Sequence, residues 1–316
     1  MTRLALMVCY LSLAACGGQS GEVEEKVSTR PPAPDIIATN AFYYYNNVDD
    51  AWEFYRDVLG FETVVDYGFA KIMRIAQTSY LTLVAADSGM HSAEEPKTVV
   101  LRIVMTNEFS LPDVPGLVDW VAVSRSGGEE VVLQDPEGYR IVFAKSNPDK
   151  SSNPYAAIID NLRVMDSAVL GAGIRAAIYS IYMQDLNTSQ PFYEDLFGRT
   201  AEAWPGRGAL FHIAGSGFLN LIDGGDYLHE ATSESAVTIS FFSTKVDAWY
   251  ERARNTRGFE LRTPEVISES DLVRVFVGYD PEGIFLEWDT FLDLQENAGL
   301  MKYLGVGSDP HKSLSQ

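Results

Sequence analysis

Cysteine is nearly absent from this chain of 316 residues: Cys9 and Cys16 are its only two, and both precede the bulk of the sequence. A disulfide-held fold, a cysteine nucleophile in the folded part and a cysteine-ligated metal are therefore excluded. Basic residues are also few, with 24 Lys and Arg against 44 Asp and Glu, for a formal net charge of −20. This negative excess opposes binding to phosphate backbones and anionic lipids, so we expect no nucleic acid partner.

The first residues have the layout of an export signal. Arg3 precedes an apolar run from Leu4 to Ala15, which is too short to cross a bilayer as a helix. The run ends in Leu13-Ala14-Ala15-Cys16, which resembles a bacterial lipobox and implies cleavage before Cys16 and diacylation of its thiol. A plain signal peptide with an incidental cysteine is the alternative.

We therefore predict a lipoprotein signal peptide over 1–15 and a flexible tether, rich in Gly, Ser, Glu and Pro, over 16–35. The expected location is the cell envelope, at its periplasmic face or cell surface, with membrane contact through the lipid on Cys16 alone.

Two stretches of the remaining chain repeat one another. Residues 40–61 and 178–199 each read as an alternating strand, a polar helix start and a Phe-Tyr-x-Asp-x-x-Gly helix end. Asp-Pro-Glu-Gly turns follow at 135–138 and 280–283, where proline presets φ and glycine tolerates a positive φ. The repeat offset is 138 residues at Tyr55 and Tyr193 and 145 at the turns. We predict two homologous domains, 36–146 and 174–291, joined by a linker 147–173 and followed by a C-terminal tail 292–316.

These residues resemble the vicinal oxygen chelate superfamily, which includes glyoxalase I, extradiol dioxygenases and bleomycin resistance proteins. The resemblance implies an α+β fold of tandem domains, in which paired βαβββ modules form cupped sheets around a small-molecule site. A strand over 236–242 and a helix over 246–257 fit the last module. Residues 107–116 contain Pro112 and no helical periodicity, so the second module is expected to be truncated there.

Most positions that hold metal in this superfamily carry poor ligands here. The resemblance places first-strand ligands at Asn40, Ile178, Thr238 and near Thr98 or Val99, and last-strand ligands at Thr82, Asn220, Val142 and Glu287. Glu287 alone is a usual ligand, and transition metals need three or more protein ligands, so we expect no cofactor. A divalent metal held by a displaced set, with His212 or His229 near Asn220 and Glu287, is the alternative. His91 and His311 are interpreted as surface histidines.

Strand alternation predicts which side chains face the cups. Asn40, Phe42 and Tyr44 share one face, as do Ile178, Ser180 and Tyr182, while Tyr43 and Tyr45 face a helix. The candidate ligand-binding residues are Asn40, Phe42, Tyr44, Ile178, Ser180, Asn220 and Thr238. Burial in an ordinary core is the alternative for the aromatic members.

Glu287 is the candidate catalytic residue, because a carboxyl group among apolar strands has a raised pKa and suits a general base. Tyr182 or His212 is its predicted partner, and a structural carboxylate held by Asn220 is the alternative. The chain has no Gly-rich phosphate loop and no nucleophile elbow.

We therefore predict a cell-envelope lipoprotein that binds a small organic molecule in the cup of its second domain, with any chemistry done without a conventional metal. A metal-dependent dioxygenase or lyase with displaced ligands is one alternative. A non-catalytic structural or partner-binding protein is the other.

Overall fold

The computed structural model describes residues 30–106, 121–125, 128–145, 156–204 and 208–305. The predicted signal peptide, Cys16, the predicted truncated segment 107–116 and His311 lie outside these residues. Within them, no helix is long and apolar enough to span a membrane.

Strands make up most of the regular structure, as the predicted α+β class requires. Those of the first half are β1 Ala38–Tyr45, β2 Glu62–Asp66, β3 Ala70–Ala76, β4 Ser79–Ala85, β5 Val99–Met105, β6 Val121–Arg125, β7 Gly128–Gln134 and β8 Arg140–Lys145. Those of the second half are β9 Met165–Ser167, β10 Ala172–Met183, β11 Glu202–Trp204, β12 Gly208–Ala214, β13 Gly217–Asp223, β14 Val237–Phe242, β15 Glu260–Leu261, β16 Ile267–Glu269, β17 Val273–Tyr279 and β18 Phe285–Phe291.

The helices are short, and α1 and α3 begin at the predicted polar residues. They are α1 Val48–Glu53, α2 Ala156–Asp160, α3 Leu186–Phe197, α4 Val246–Arg254 and α5 Ala298–Leu304. The side chain of Asn47 accepts from two backbone N–H groups of α1, and that of Asp185 caps α3 in the same way. A π-helical turn, Phe54–Val58, continues α1, and α3 ends at Gly198 with φ of 63°.

The strands form two mixed sheets. Sheet 1 has the order β15-β17-β18-β14-β1-β4-β3-β2, with β16 beside β17. Sheet 2 has the order β11-β12-β13-β10-β5-β8-β7-β6, with β9 beside β10. The strands fall into four modules, numbered 1 to 4 along the chain: β1–β4, β5–β8, β10–β13 and β14–β18. Modules 1 and 4 build sheet 1, whereas modules 2 and 3 build sheet 2.

Each sheet therefore combines one module from each half of the chain. The antiparallel pairs β1–β14 and β5–β10 make the two joins. The expectation of one cup within each half is wrong, because the cup that holds Glu287 takes its other wall from β1 and β4. Self-similarity shows which segments share a structure, but it carries no information on which strand edges pair.

The first Asp-Pro-Glu-Gly turn ties the two sheets together. Asp135 accepts hydrogen bonds from the hydroxyl groups of Tyr45 and Tyr55, at 2.6 and 3.0 Å, and also caps the backbone of its own turn. Glu137 accepts from the backbone N–H of Asn47, at 2.9 Å, directly before α1. This turn joins β7 and β8 of sheet 2 and is hydrogen-bonded to residues of module 1, which belongs to sheet 1.

The second turn repeats this arrangement. Asp280 accepts from the hydroxyl of Tyr193 at 2.9 Å, and Glu282 accepts from the backbone N–H groups of Gln184 and Asp185 before α3. The recurrence of the motif therefore has a structural cause, because the glutamate of each turn accepts hydrogen bonds from backbone N–H groups directly before a helix.

The two sheets share one large core on their convex faces. Tyr43 and Tyr45 of sheet 1 and Tyr179 of sheet 2 are buried there with helix residues. Tyr43 stacks on Tyr139 with ring centroids 3.9 Å apart, and the Tyr139 hydroxyl donates to the carbonyl of Ala236 at 2.6 Å. The predicted division of β1 and β10 into a core face and a concave face is confirmed.

The start of the predicted tail packs on sheet 1. Leu300 of α5 is fully buried beside Tyr80 and Phe242. A Cβ on Gly299 would lie 2.2 Å from the carbonyl oxygen of Val64, so glycine alone permits this approach. Residues up to Leu304 therefore belong to the fold.

Candidate functional site

The concave face of sheet 1, called the first cup, carries polar side chains among aromatic ones. Its members come from β1, β4, β14 and β18 and are Asn40, Phe42, Tyr44, Thr82, Thr238, Ser240, Phe285, Glu287 and Asp289. In the register of the sheet, Asn40 lies beside Ser240, and Ser240 lies beside Glu287. Positions two apart share a face, so these side chains converge on one concave surface.

Two hydrogen-bonded pairs fix the floor of the first cup. The amide of Asn40 donates to the hydroxyl of Thr82 at 2.9 Å, and that hydroxyl lies 3.1 Å from the amide oxygen. The hydroxyls of Tyr44 and Thr238 bond at 2.6 Å. These buried groups satisfy one another, which leaves the carboxyl groups as the reactive part of the surface.

Glu287 and Asp289 are neighbours on β18 and form a coupled carboxyl pair. Burial raises the pKa of both groups, and the negative charge of Asp289 raises the pKa of Glu287 further. Glu269 adds a third negative charge, while the hydroxyl of Ser240 donates to Asp289 and opposes the rise in its pKa. Asp289 is 2% exposed, whereas Glu287 is partly exposed. The pair therefore retains a proton at higher pH than ordinary carboxyl groups and can both donate and accept one.

His91 belongs to this cup, contrary to the expectation of a solvated surface residue. Its ring packs edge-on against Tyr44 and Phe285, with centroids 5.0 and 6.0 Å away. Its Nδ1 lies 2.7 Å from the carboxylate of Glu95, and its side chain is 15% exposed. Within the described part of the chain, its buried Nε2 has no hydrogen-bond partner. The residue is buried because the loop after β4 folds back over the end of the cup.

The position of Tyr44 links His91 to the carboxyl pair. Burial raises the pKa of the Tyr44 hydroxyl, and the negative charge of Glu287 contributes to the rise. Glu95 engages Nδ1 of His91, and Nε2 is the ring atom without a partner among the described residues. The first cup thus contains an imidazole nitrogen, a partly exposed carboxyl group and a buried one.

The concave face of sheet 2, called the second cup, holds the other predicted ligand-binding residues. Ile178 is buried in an apolar cluster, and the amide of Asn220 donates to the hydroxyl of Ser180 at 3.3 Å. The hydroxyl of Tyr182 donates to Asp226 at 3.0 Å.

The predicted catalytic group is not brought together. Glu287 lies in sheet 1, whereas Tyr182 and His212 lie in sheet 2. His212 stacks on Phe218, and its Nε2 is 2.7 Å from the carbonyl of Gly215. Asn220 is also in sheet 2, so the structural alternative in which it holds Glu287 is wrong. The cause is the pairing of modules across the two halves.

The side chains at the superfamily's metal positions do not fit a metal ion. Asn40 and Thr82 bond to each other and Thr238 bonds to Tyr44, so Glu287 is the one usual ligand at these positions of the first cup. Asn220 lies in the other sheet, which separates it from Glu287. Across the ranges that the structure describes, no group of three or more His, Cys, Asp or Glu side chains has a metal-binding arrangement.

The sequence did not identify four residues of the first cup: Ser240, Phe285, Asp289 and His91. Asp289 and Ser240 share a strand face with the predicted residues Glu287 and Thr238, so alternation could have found them. His91 lies 138 residues before His229, and this separation equals the repeat offset. It is the sequence signal that marks the two histidines as equivalent positions.

Solved structures show where this architecture occurs elsewhere. A "putative dioxygenase" from Bacillus subtilis aligns with a TM-score of 0.53 at 13% identity, over 83% of this chain and 86% of that one. Glyoxalase I from Zea mays aligns with a TM-score of 0.50 at 13% identity, over 85% and 95%. No family model matches the chain, and no curated protein matches it. At these identities the likeness establishes the fold.

Proposed function

We propose that this chain, which has the fold of the vicinal oxygen chelate superfamily, binds a small organic molecule in its first cup. The observation that supports the proposal is the Glu287–Asp289 pair on a concave, aromatic-walled surface. A buried carboxyl pair is costly to the fold, and function is a common reason for such a cost. The site is the cup of modules 1 and 4, in place of the second-domain cup expected from the sequence.

The bound molecule should donate hydrogen bonds to the pair. The first cup offers the carboxyl oxygens of Glu287 and Asp289, with the charge of Glu269 nearby. The guanidinium of Arg262 lies at its edge, 5.6 Å from the centre of the Phe285 ring. Tyr44, Phe42 and Phe285 supply flat apolar walls. An aromatic or unsaturated molecule with an N–H or O–H group suits this combination.

Any chemistry at the site is proposed to be proton transfer without a resident metal. Glu287 is the group placed to exchange a proton with a bound molecule, because it is partly exposed whereas Asp289 is buried. Asp289 tunes its pKa, and His91 is the second candidate base. A lyase or isomerase step that moves one proton falls within the reach of these residues.

Calorimetric titration of the full-length chain with benzamidine tests this site. Its amidinium group donates two parallel hydrogen bonds to a carboxylate, and uncharged benzamide has the same shape. We expect benzamidine to bind more tightly than benzamide, and Glu287→Gln to weaken benzamidine binding by about tenfold. Equal affinity for the two probes, or an unchanged affinity in Glu287→Gln, would overturn the proposal.

We also propose that the protein is exported and held at the cell envelope by lipid on Cys16. The support is the sequence Leu13-Ala14-Ala15-Cys16 after a short apolar run. Labelling of cells with a radioactive fatty acid should mark the wild-type chain and leave Cys16→Ala unlabelled. A label that persists in Cys16→Ala would place the lipid elsewhere or contradict it.

A further inference from the structure

The second cup contains the same kind of histidine–tyrosine contact as the first. His229 lies 138 residues after His91, as Tyr182 lies 138 residues after Tyr44. The ring of His229 packs edge-on against Tyr182 at 5.4 Å, close to the 5.0 Å of the first pair. Each histidine has a buried Nε2 without a hydrogen-bond partner among the described residues.

The floor of the second cup lacks the carboxyl pair of the first and carries two arginines. At the positions of Glu287 and Asp289 the repeat has Val142 and Ala144. Arg102 replaces Ser240, and Arg140 replaces Phe285. The strand register places Arg102 beside Val142 on β5 and β8, on the same face as Ser180 and Tyr182.

One of the two arginines is already neutralised. Arg102 forms an ion pair with Glu130 at 2.5 Å, and the hydroxyl of Tyr227 donates to the same carboxylate at 2.8 Å. Asp226, the other nearby acid, accepts from Tyr182 and from the backbone N–H groups of Leu228 and His229. Both acids of the second cup are therefore engaged by donors.

Arg140 is the cation left over. Within the described ranges it has no ion-pair or hydrogen-bond partner, and it is partly buried. Its charge acts on His229, because burial first and Arg140 second lower the pKa of that imidazole to about 4. His229 is thus neutral at pH 7 and contributes no positive charge of its own.

A second buried polar atom also lacks a partner. Asn220 is fully buried at the centre of the second cup, and its amide nitrogen donates to Ser180. Its amide oxygen has no donor among the residues described by the structure. A fully buried acceptor is costly when nothing bonds to it, which indicates that a bound molecule supplies the donor.

We propose that the second cup is a separate binding site for a small organic anion, in which Arg140 is the counter-charge and Asn220 and His229 accept hydrogen bonds from the rest of the molecule. A hydroxylated or amino-substituted carboxylate carries both kinds of group. Tyr182 and Leu228 supply the apolar wall. The two cups of one chain then favour different ligands, because the carboxyl pair of the first cup has no counterpart in the second, whose counter-charge is Arg140.

The probe for this site is 4-hydroxybenzoate, titrated into the full-length chain and compared with uncharged 4-hydroxybenzamide. We expect the carboxylate to bind more tightly, and Arg140→Met to weaken it by about tenfold. Arg140→Lys should restore much of the affinity, which separates loss of charge from misfolding. Glu287→Gln should leave it unchanged, so failure here is distinct from failure of the proposed first-cup function.

Three results would overturn the inference: no binding of 4-hydroxybenzoate at about 10 mM, where even a weak complex is measurable; equal affinity for the amide; or full affinity in folded Arg140→Met. Amide NMR shifts locate the probe independently. They should move for Tyr182 and Leu228 on addition of the carboxylate and stay in place for Tyr44. Shifts confined to Tyr44 would contradict the location.

Discussion

At the scale of single residues, the carboxyl pair sets a pH dependence. Burial raises the pKa values of Glu287 and Asp289, and that of Asp280 to about 6, so the folded chain keeps protons that the unfolded chain releases above about pH 4. The free energy of unfolding should therefore fall as the pH rises from about 4 through the raised pKa values. Asp289→Asn should make this decline shallower, as measured by urea unfolding from pH 4 to 8.

The matched control is Glu230→Gln, which changes an exposed carboxyl group outside both cups. It should leave the pH dependence as in the wild type. A wild-type stability that rises over this pH range would contradict the assignment of raised pKa values.

The histidines provide a second residue-scale prediction. His91→Gln should weaken benzamidine binding about threefold to tenfold, because the first cup loses the imidazole ring and its edge-on contact with Tyr44. His212→Gln should leave binding unchanged, because its ring stacks on Phe218 in the other sheet. Calorimetry on both variants checks this, and the reverse ranking would restore the sequence-based choice of His212.

Local patterns predicted the residues of the first cup that lie on strands already found. Asn40, Phe42 and Tyr44 follow from alternation, and Glu287 follows from its distance to the Asp-Pro-Glu-Gly turn. His91 could not be recognised by that route, since it lies in a loop whose path is fixed by packing on Tyr44 and Phe285.

At the scale of elements, the Asp-Pro-Glu-Gly turns stabilise the starts of α1 and α3 through hydrogen bonds. Glu282→Ala removes the acceptor for the backbone N–H groups of Gln184 and Asp185 and for the hydroxyl of Ser189. We expect a loss of about 1–3 kcal/mol in the free energy of unfolding, because these donors lose a charged partner. Urea unfolding measures it, with the exposed Glu265→Ala as the control. Equal free energies of unfolding in the two variants would show that the hydrogen bonds to Glu282 do not stabilise the fold.

The sequence predicts the two turns but does not predict the hydrogen bonds that they make to other elements. Their φ preferences are properties of Pro and Gly, so the sequence alone predicts them. Their hydrogen bonds to the starts of α1 and α3 depend on tertiary contacts between modules, which the local sequence does not predict.

At the scale of the whole molecule, the two halves should depend on each other. Sheet 1 and sheet 2 each need strands from both halves, so residues 36–146 alone would expose the edges of β1 and β5. We expect that fragment to be unfolded or self-associated, and mixing with residues 156–316 to restore folded structure. Circular dichroism and light scattering test this, and a monomeric fragment that unfolds cooperatively would contradict it.

The repeated strand and helix modules could be anticipated from the sequence, because their strand, helix and turn signals are local. The pairing of modules 1 with 4 and 2 with 3 could not, because β1 and β10 are equivalent strands of the repeat and either could have joined β14. The pairing decides the site, since it places Glu287 with Asn40 and separates it from Asn220.

Carboxyl-carbon NMR of the full-length chain over pH 3 to 9, with and without benzamidine, tests the first cup most directly. We predict signals that titrate well above the ordinary carboxyl range, change in Glu287→Gln and move to lower pKa when the cationic probe binds. Carboxyl groups that all titrate near pH 4, or raised values that ignore both the substitution and the probe, would contradict a binding site at Glu287 and Asp289.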